Sequence, residues 1–328
     1  MKVFIGGGGG FIGGHLAKEH LSRGDEVVVA DIKPQDEWYQ QHDGAENFVR
    51  NLEEKEACFE VTKGCDRVYN LACNMGGMGF IESNKALCML SVLINTHMLM
   101  AARENGVGQF FYSSSACVYP DYRQQDTDVI ALKESGAYPA MPEDGYGWEK
   151  LFSERMCKHY EEDYGLNVRV FRFHNVYGPF GTWDGGREKA PAAMCRKVIE
   201  CLDSGNYEME MWGDGEQTRS FMYIDDCLTG IDKLMASDFS DPLNLGRSEL
   251  VTINQLLAIV EEIAGIKVKR KYNLDAPQGV RGRNSDNMLI QEVLGWEPEV
   301  DLRTGMEKTY AWIKEQYDRR QAGESVVL

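Results

Sequence analysis

Lys2-Val3-Phe4-Ile5-Gly6-Gly7-Gly8-Gly9-Gly10-Phe11-Ile12-Gly13-Gly14 decides the fold of this chain. Its first four residues read as a short buried strand. Five consecutive glycines alone are compatible with a flexible linker, but Leu16, Ala17 and Leu21 follow at helical spacing. Strand, turn and helix in that order place Gly7, Gly10 and Gly13 in a G-x-x-G-x-x-G pattern. Bare backbone there turns tightly and lets a pyrophosphate approach the helix N-terminus, where Phe11 and Ile12 begin the first turn. The next strand, Glu26 to Ala30, ends at Asp31, about twenty residues past the glycines. A carboxylate at that point accepts from the ribose hydroxyls of an adenosine and repels a 2′-phosphate. NAD rather than NADP is therefore the expected cofactor.

Outward from that unit, Phe48 to Leu52 and Arg67 to Ala72 read as further strands, the latter running into Cys73-Asn74-Met75-Gly76-Gly77-Met78-Gly79-Phe80. Asn84 to Glu104 reads as one long helix with Leu87, Leu90, Ile94, Met98 and Ala101 on a single stripe, a core or subunit-interface pattern. Gln109 to Ser113 is a fifth strand, Asp121 to Asp144 a polar loop and Val168 to Phe173 a sixth strand. Alternation of this kind implies an α/β fold: a doubly wound parallel Rossmann sheet with its ligand crevice at the C-terminal strand ends. The expected division is a dinucleotide-binding domain over 1–177, completed by about 221–246, and a smaller mixed α/β substrate lobe over 178–220 and 247–328. Within that lobe Gly213 to Arg219 reads as a turn, and Asn254 to Ala264 and Asp301 to Tyr317 read as helices.

The net charge of −17 argues against nucleic acid or an anionic membrane surface as partner, but leaves room for an anionic small molecule in a locally basic cleft. No leader-like apolar core opens the sequence, and the longest apolar stretch, near Ala86 to Ile94, reads as too short for a bilayer. Nine cysteines occur without a Cys-x-x-Cys pair. That pattern argues against a metal site or disulfide framework and for a reducing, cytoplasmic setting.

Tyr146-Gly147-Trp148-Glu149-Lys150 carries the chemistry. Residues four apart share a helix face, so phenol and ammonium point into one space, and a lysine that close is expected to lower the tyrosine pKa. A proton-transfer group beside a nicotinamide needs this. Upstream, Ser113-Ser114-Ser115-Ala116-Cys117-Val118-Tyr119-Pro120 follows the fifth strand. Together with the glycine turn and Asp31, these residues make the sequence resemble the extended short-chain dehydrogenase/reductase superfamily of nucleotide-sugar enzymes. The strings NLACNMGGMGFIESN, SSSACVYP, RFHNVYGPFGTWDGGREKAPAAMCRK, MWGDGEQTRSF and VRGRNSDN resemble, more narrowly, the GDP-mannose 3,5-epimerase family.

The resemblance implies an isomerase with tightly bound NAD, a GDP-sugar substrate and a homodimer formed through the Asn84 and Tyr146 helices. It implies a redox triad of Ser115, Tyr146 and Lys150 and an acid/base pair of Cys117 and Lys189. Asn51, Leu52 and Leu71 fall at cofactor-contact positions. Met75, Gly76, Ser115, Ala116, Cys117, Asn175, Glu188, Lys189, Ala190, Lys197, Gln217, Thr218, Arg219 and Arg281 fall at substrate-contact positions. His174 is given no role.

Four departures stand out: Gly6 for the usual threonine only loosens the turn, whereas Asn51 for an acid, Cys73-Asn74 for an Ala-Asp pair and Asp184 for a lysine lie on or near ligand loops and bear on affinity and on the sugar accepted. The alternatives are a related epimerase with another sugar such as a GDP-heptose, a single-centre or 4-epimerase outcome, and a non-catalytic NAD-binding sensor. Ala116-Cys117 stands where a 4,6-dehydratase needs an Asp-Glu pair.

Overall fold

The computed structural model describes residues 1–328. Its frame is a seven-stranded, all-parallel sheet. The chain lays down β1 (Lys2–Gly6), α1 (Phe11–Ser22), β2 (Glu26–Asp31), β3 (Glu46–Val49), α2 (Lys55–Val61), β4 (Arg67–Asn70), α3 (Met78–Ser83) and α4 (Lys85–Glu104). It continues with β5 (Gln109–Ser115), α5 (Tyr146–Tyr164), β6 (Val168–Phe173) and β7 (Val176–Tyr177). Next come α6 (Ala190–Ser204), β8 (Glu208–Trp212), β9 (Thr218–Arg219), β10 (Met222–Tyr223), α7 (Ile224–Ala236) and β11 (Leu243–Leu245). The last stretch is β12 (Val251–Thr252), α8 (Ile253–Ala264), β13 (Lys269–Asn273), β14 (Gly282–Arg283), α9 (Met288–Leu294) and α10 (Leu302–Gln321).

The sheet order is β11-β6-β5-β4-β1-β2-β3, reversing at β1 and β4. Ligands of open parallel sheets bind at such a switch point. The seventh strand, β11, pairs with β6 and had no counterpart among the predicted strands. Two helices of the predicted second lobe match α8 and α10, whereas Gly213 to Arg219 is a turn only as far as β9.

Both sheet faces are covered, as the near-continuous apolar strands require. One core gathers Val3, Ile5, Tyr69, Phe111 and Phe171 with α7, α6 and α10; the other gathers Phe4, Val28, Val68, Phe110 and Val170 with α4 and α5. The α5 helix is locked to the sheet by Arg172 of β6, whose guanidinium reaches Glu154 at 2.7 and 2.9 Å while Ser114 donates to the same carboxylate. Breaking such a buried pair from one side costs about 3–5 kcal/mol.

Two expectations need correction. The predicted stripe on α4 changes along its length: Ile94, Met98 and Ala101 are buried, whereas Leu87 and Leu90 near the start of the helix are exposed. And α4 is long and apolar enough for its length to match a bilayer. The reason is that the apolar pattern continues past Ile94 to the helix end. Its Cys88, Ile94, Met98, Leu99 and Ala102 are packed inside the protein, as in a core helix of a globular fold.

Candidate active site

The glycine turn is packed as the sequence implies. Gly7 adopts φ +78°, and a β-carbon there would stand 3.0 Å from the Ala72 backbone; one at Gly13 would collide with the Gly7 carbonyl. At Gly9 it would run into the Trp38 ring at 2.6 Å, so the extra glycines answer to tertiary contacts as well as to the turn. The α1 helix begins at Gly10 with no side-chain cap and no acid in its first turn. Its free N–H groups face the mouth between β1 and β4, as an anionic pyrophosphate requires.

Asp31 closes β2, nearly buried, and accepts from the Lys33 amide at 3.1 Å. Burial raises its pKa, opposed by Lys33 and the Gly9 amide. Leu52 lies under Gly6, Leu71 bonds the Gly6 carbonyl at 3.0 Å, and Phe11 packs against Gly178 and Gly181. Ile12 is half-buried against the first core. Asn51, just past β3, accepts from the Glu53 amide at 3.0 Å. The buried acid, the bare turn and the uncapped helix fit the NAD that the sequence implied.

At the β5 end, Ser115, Cys117 and Tyr146 come together. Ser115 caps the short 3-10 turn of Ala116–Val118 by accepting from the Cys117 amide at 3.2 Å. Tyr146 opens α5 and packs with Cys117, Cys88 and Ile81. The predicted lowering of the tyrosine pKa is reversed here. Burial pushes the phenol well above its ordinary range, aided by Cys73, Cys117 and Glu149 and opposed by the Ser115 hydroxyl.

Lys150 directs its charge elsewhere. Its buried ammonium donates to the Ser113 carbonyl at 3.1 Å and lies 3.7 Å from the Glu149 carboxylate, with the Tyr146 ring centroid 5.5 Å away. Burial lowers its pKa, but Cys73 and Glu149 outweigh that and keep it charged. Glu149 is itself fixed by Tyr112 at 3.1 Å and Ser153 at 3.0 Å.

Lys189 arrives from outside the seven-stranded sheet, as the residue before α6. Its loop is tied to the glycine–methionine loop, because Gly77 donates to the Arg187 carbonyl at 3.0 Å and a β-carbon on Gly77 would stand 2.7 Å from the Glu188 carbonyl. Burial lowers the Lys189 pKa, and Cys117 is the first charge partner opposing that. Met75 packs with the Tyr146 cluster, and Gly76 is held against Phe80. Glu188, predicted to face substrate, instead commits its carboxylate to Arg196 at 3.0 Å and the Gly186 amide at 2.7 Å. Ala190 begins α6, and Ala116 is buried beneath the site.

The cations predicted for a diphosphate differ in kind. Arg219 meets only carbonyl oxygens, of Thr218 at 2.8 Å, Val280 at 2.6 Å and Gln278 at 3.3 Å. Burial pushes it down to about 10. Lys197 likewise has a carbonyl partner, Glu210 at 3.0 Å. Arg281 is neutralised by a two-pronged pair with Asp214 at 2.7 and 2.8 Å.

Gln217 is buried with its side-chain oxygen unpartnered, whereas the Thr218 hydroxyl is spent on the Thr127 carbonyl at 2.6 Å. Asn175 takes a left-handed φ of 44°, held by its donation to Ser220 at 2.9 Å. Such strain in a non-glycine residue clusters at functional sites. His174 is neutral, pushed by burial down to about 4, and bonded to Asn244.

The sequence did not point to Glu149, Glu143 or Arg283. Cys73 had been marked only as a departure; it lies against Lys150. Asn74 and Asp184, two other departures, are structural: Asn74 bonds Ser91 and Glu53, and Asp184 pairs with Arg320 and Arg196.

A buried ammonium and phenol beside a dinucleotide turn define a class, the NAD-binding short-chain dehydrogenase/reductase type. The chain belongs to the NAD dependent epimerase/dehydratase family, whose model matches residues 3–246. It is 47% identical over its full length to the GDP-mannose 3,5-epimerase of Arabidopsis thaliana, covering 86% of that protein. It is 48% identical over 98% of its length to GDP-mannose 3,5-epimerase 1 of Oryza sativa subsp. japonica, covering 84% of it. In fold it is similar to the UDP-glucose 4-epimerase of Thermotoga maritima (TM-score 0.88, 24% identity, 97% of this chain and 100% of that one). It is also similar to the NAD complex of the Thermus thermophilus enzyme of the same name (TM-score 0.82, 22% identity, 96% and 99%).

Proposed function

We propose that this chain epimerises a GDP-hexose, GDP-mannose first among them, at carbons 3 and 5. The observation that carries the reading is a second pair of reactive groups: Cys117 packs against Tyr146, and Lys189 is close enough for that thiol to act on its charge, where a simple 4-epimerase needs no carbon acid/base. NAD, held by the Gly7–Gly13 turn and Asp31, supplies the acceptor and later the donor of the hydride at sugar carbon 4. Tyr146 takes the proton of the 4-hydroxyl and returns it, while Ser115 holds the same oxygen. Lys150 keeps its charge beside the phenol and, by the family resemblance, would hold the nicotinamide ribose. A ketone at carbon 4 acidifies the hydrogens at carbons 3 and 5. Cys117 and Lys189 then remove and replace them from opposite faces, as inversion demands. Arg219 and Lys197 face the diphosphate, since neither carries a carboxylate partner.

The reading includes a homodimer in the cytoplasm. The surface that a second copy would cover is the exposed apolar face of α4 and α5: Leu87, Met89, Leu90 and Leu93 beside Trp148 and Phe152. A Leu90→Glu/Phe152→Glu chain that stays dimeric by light scattering would remove that assignment.

The functional test is incubation with GDP-mannose in deuterated water. Deuterium at carbons 3 and 5 of recovered, epimerised sugar is the expected result. Unlabelled sugar with NAD still bound would sink the mannose assignment, and a panel of nucleotide sugars would then separate another substrate from a silent binder.

A further inference from the structure

Tyr39 is tied to both sides of the dinucleotide seat. Its backbone amide donates to the Gly9 carbonyl of the glycine turn at 3.2 Å, next to Trp38, whose ring packs on Gly9. Its hydroxyl meets the Thr182 hydroxyl at 2.6 Å and donates to the main-chain oxygen of Leu328. With its one proton given to Leu328, the phenol accepts from Thr182. Thr182 belongs to the loop after β7, and its neighbour Gly181 lies on the Phe11 ring, where a β-carbon would stand 3.3 Å away. Gly9, Tyr39, Thr182, Gly181, Phe11 and Gly10 therefore close a ring of contacts. Its last two members open α1, whose free N–H groups receive the pyrophosphate.

The loop side of this ring is held from behind. Phe180 takes a left-handed φ of 63°, and its ring sits between His15 at 5.6 Å and Trp312 of α10 at 5.3 Å. His15 also donates to the Pro179 carbonyl at 3.0 Å. Trp183 is wholly buried and donates to the Val327 carbonyl at 2.8 Å, while Asp184 pairs with Arg320. Strain of the Phe180 kind persists only where the surroundings over-determine it. The Tyr39–Thr182 contact is different in kind. It is the one hydrogen bond between side chains in the ring, so a rotamer change at Thr182 opens it without moving backbone.

We propose that the Tyr39–Thr182 bond is a latch on bound NAD: closed, it holds the Thr182 loop to the glycine turn, and its opening limits how fast the dinucleotide leaves. In the proposed reaction NAD ends each cycle unchanged, so slow release costs no turnover. The latch itself needs only the NAD seat and nothing of the sugar chemistry.

The test is exchange of bound NAD. Protein loaded with radiolabelled NAD is diluted into excess unlabelled NAD, and the retained label is counted over time. No sugar is present, so failure of the proposed reaction would leave this result standing. Tyr39→Phe and Thr182→Val are each expected to speed exchange by about three- to tenfold, the range for loss of one hydrogen bond. Thr182→Ser keeps the hydroxyl and should exchange like wild type, which a packing role for the threonine methyl would not predict. The double variant Tyr39→Phe/Thr182→Val should exchange no faster than Tyr39→Phe, because both changes remove the same bond; independent structural damage would multiply instead. Thr182→Val at the wild-type rate overturns the latch whatever Tyr39→Phe does. So do a Thr182→Ser chain as fast as Thr182→Val, a multiplied double variant, and wild type that loses its label within the mixing time. If melting shows that Tyr39→Phe does not fold, Thr182→Val against Thr182→Ser decides alone.

Discussion

The two pairs to which the proposed function assigns the chemistry, Tyr146 with Lys150 and Cys117 with Lys189, are built in opposite ways. Tyr146 and Lys150 share one helix, and the hydrogen bonds that hold Lys150 and its neighbour Glu149 come from β5 and α5: Ser113, Tyr112 and Ser153. Cys117 and Lys189 come from separate elements, the turn after β5 and the residue before α6. They are held by the Gly77–Arg187 bond on one side and, on the other, by Arg283, which pairs with Glu143 and lies 3.5 Å from the Cys117 sulfur. The first pair is rigid and local. The second exists only while two loops and two short strands stay in register, so the redox half should survive perturbations that disable the acid/base half.

The largest effect should come from the rigid pair. Tyr146→Phe removes the group on which ketone formation depends, and exchange at carbon requires that ketone. Both hydride transfer and deuterium wash-in are expected to fall by about 10⁴-fold, the upper end for losing one acid/base group. Wash-in persisting in this variant would mean that the two pairs act independently, and the comparison would fail.

Cys117→Ala should separate them. Oxidation at carbon 4 stays possible, visible as transient reduced cofactor, while epimerised product drops by about 10²- to 10³-fold. Equal loss of both steps would show that the cysteine belongs to the redox half.

The substrate cations sharpen the contrast further. Arg219 offers an enclosed charge with only carbonyl partners, so Arg219→Ala should raise the KM for the nucleotide sugar by about 30-fold, roughly 2 kcal/mol. Arg281 is already matched by Asp214, whose pKa that contact lowers to about 2. Arg281→Ala should shift KM by less than about fivefold, as for other exposed pairs. Steady-state kinetics on the two variants in one buffer decides the order.

How far these features were legible follows from the same division. The glycine turn, Asp31, Ser115 and the Tyr146/Lys150 pair, with the α5 helix that carries it, lie in short stretches whose spacing carries their geometry; α4 follows from apolar periodicity, and α8 and α10 were also read as helices. β3 was placed too late, because Glu46–Val49 is half exposed and lacks a continuous apolar run. β11 was missed because Leu243–Leu245 is too short to show alternation; its identity comes from pairing with β6. The Arg283–Cys117 contact has no local signal, since it depends on β14 lying parallel to β9. The sign of the Tyr146 shift failed for a related reason: spacing gives proximity to Lys150, but neither full burial nor the competing Glu149.

The smallest expected effect is the position of the alkaline limb in the unsubstituted chain, and it too separates the pairs. Burial lowers the Lys189 pKa from the ordinary lysine value of 10.5, so the ammonium is lost earlier as pH rises. If that proton is delivered to carbon, the alkaline limb of kcat for deuterium exchange begins below 10.5. Tyr146 cannot produce such a limb by deprotonating in the resting site, because burial has moved it in the opposite direction. Lys150 is also held charged above its ordinary range and stays protonated across the same interval. Lys189→Arg, permanently charged, should therefore remove the limb while lowering the plateau, since a guanidinium is a poor proton donor. An alkaline limb of unchanged position in Lys189→Arg would assign that ionisation to another group and leave Cys117 without its partner.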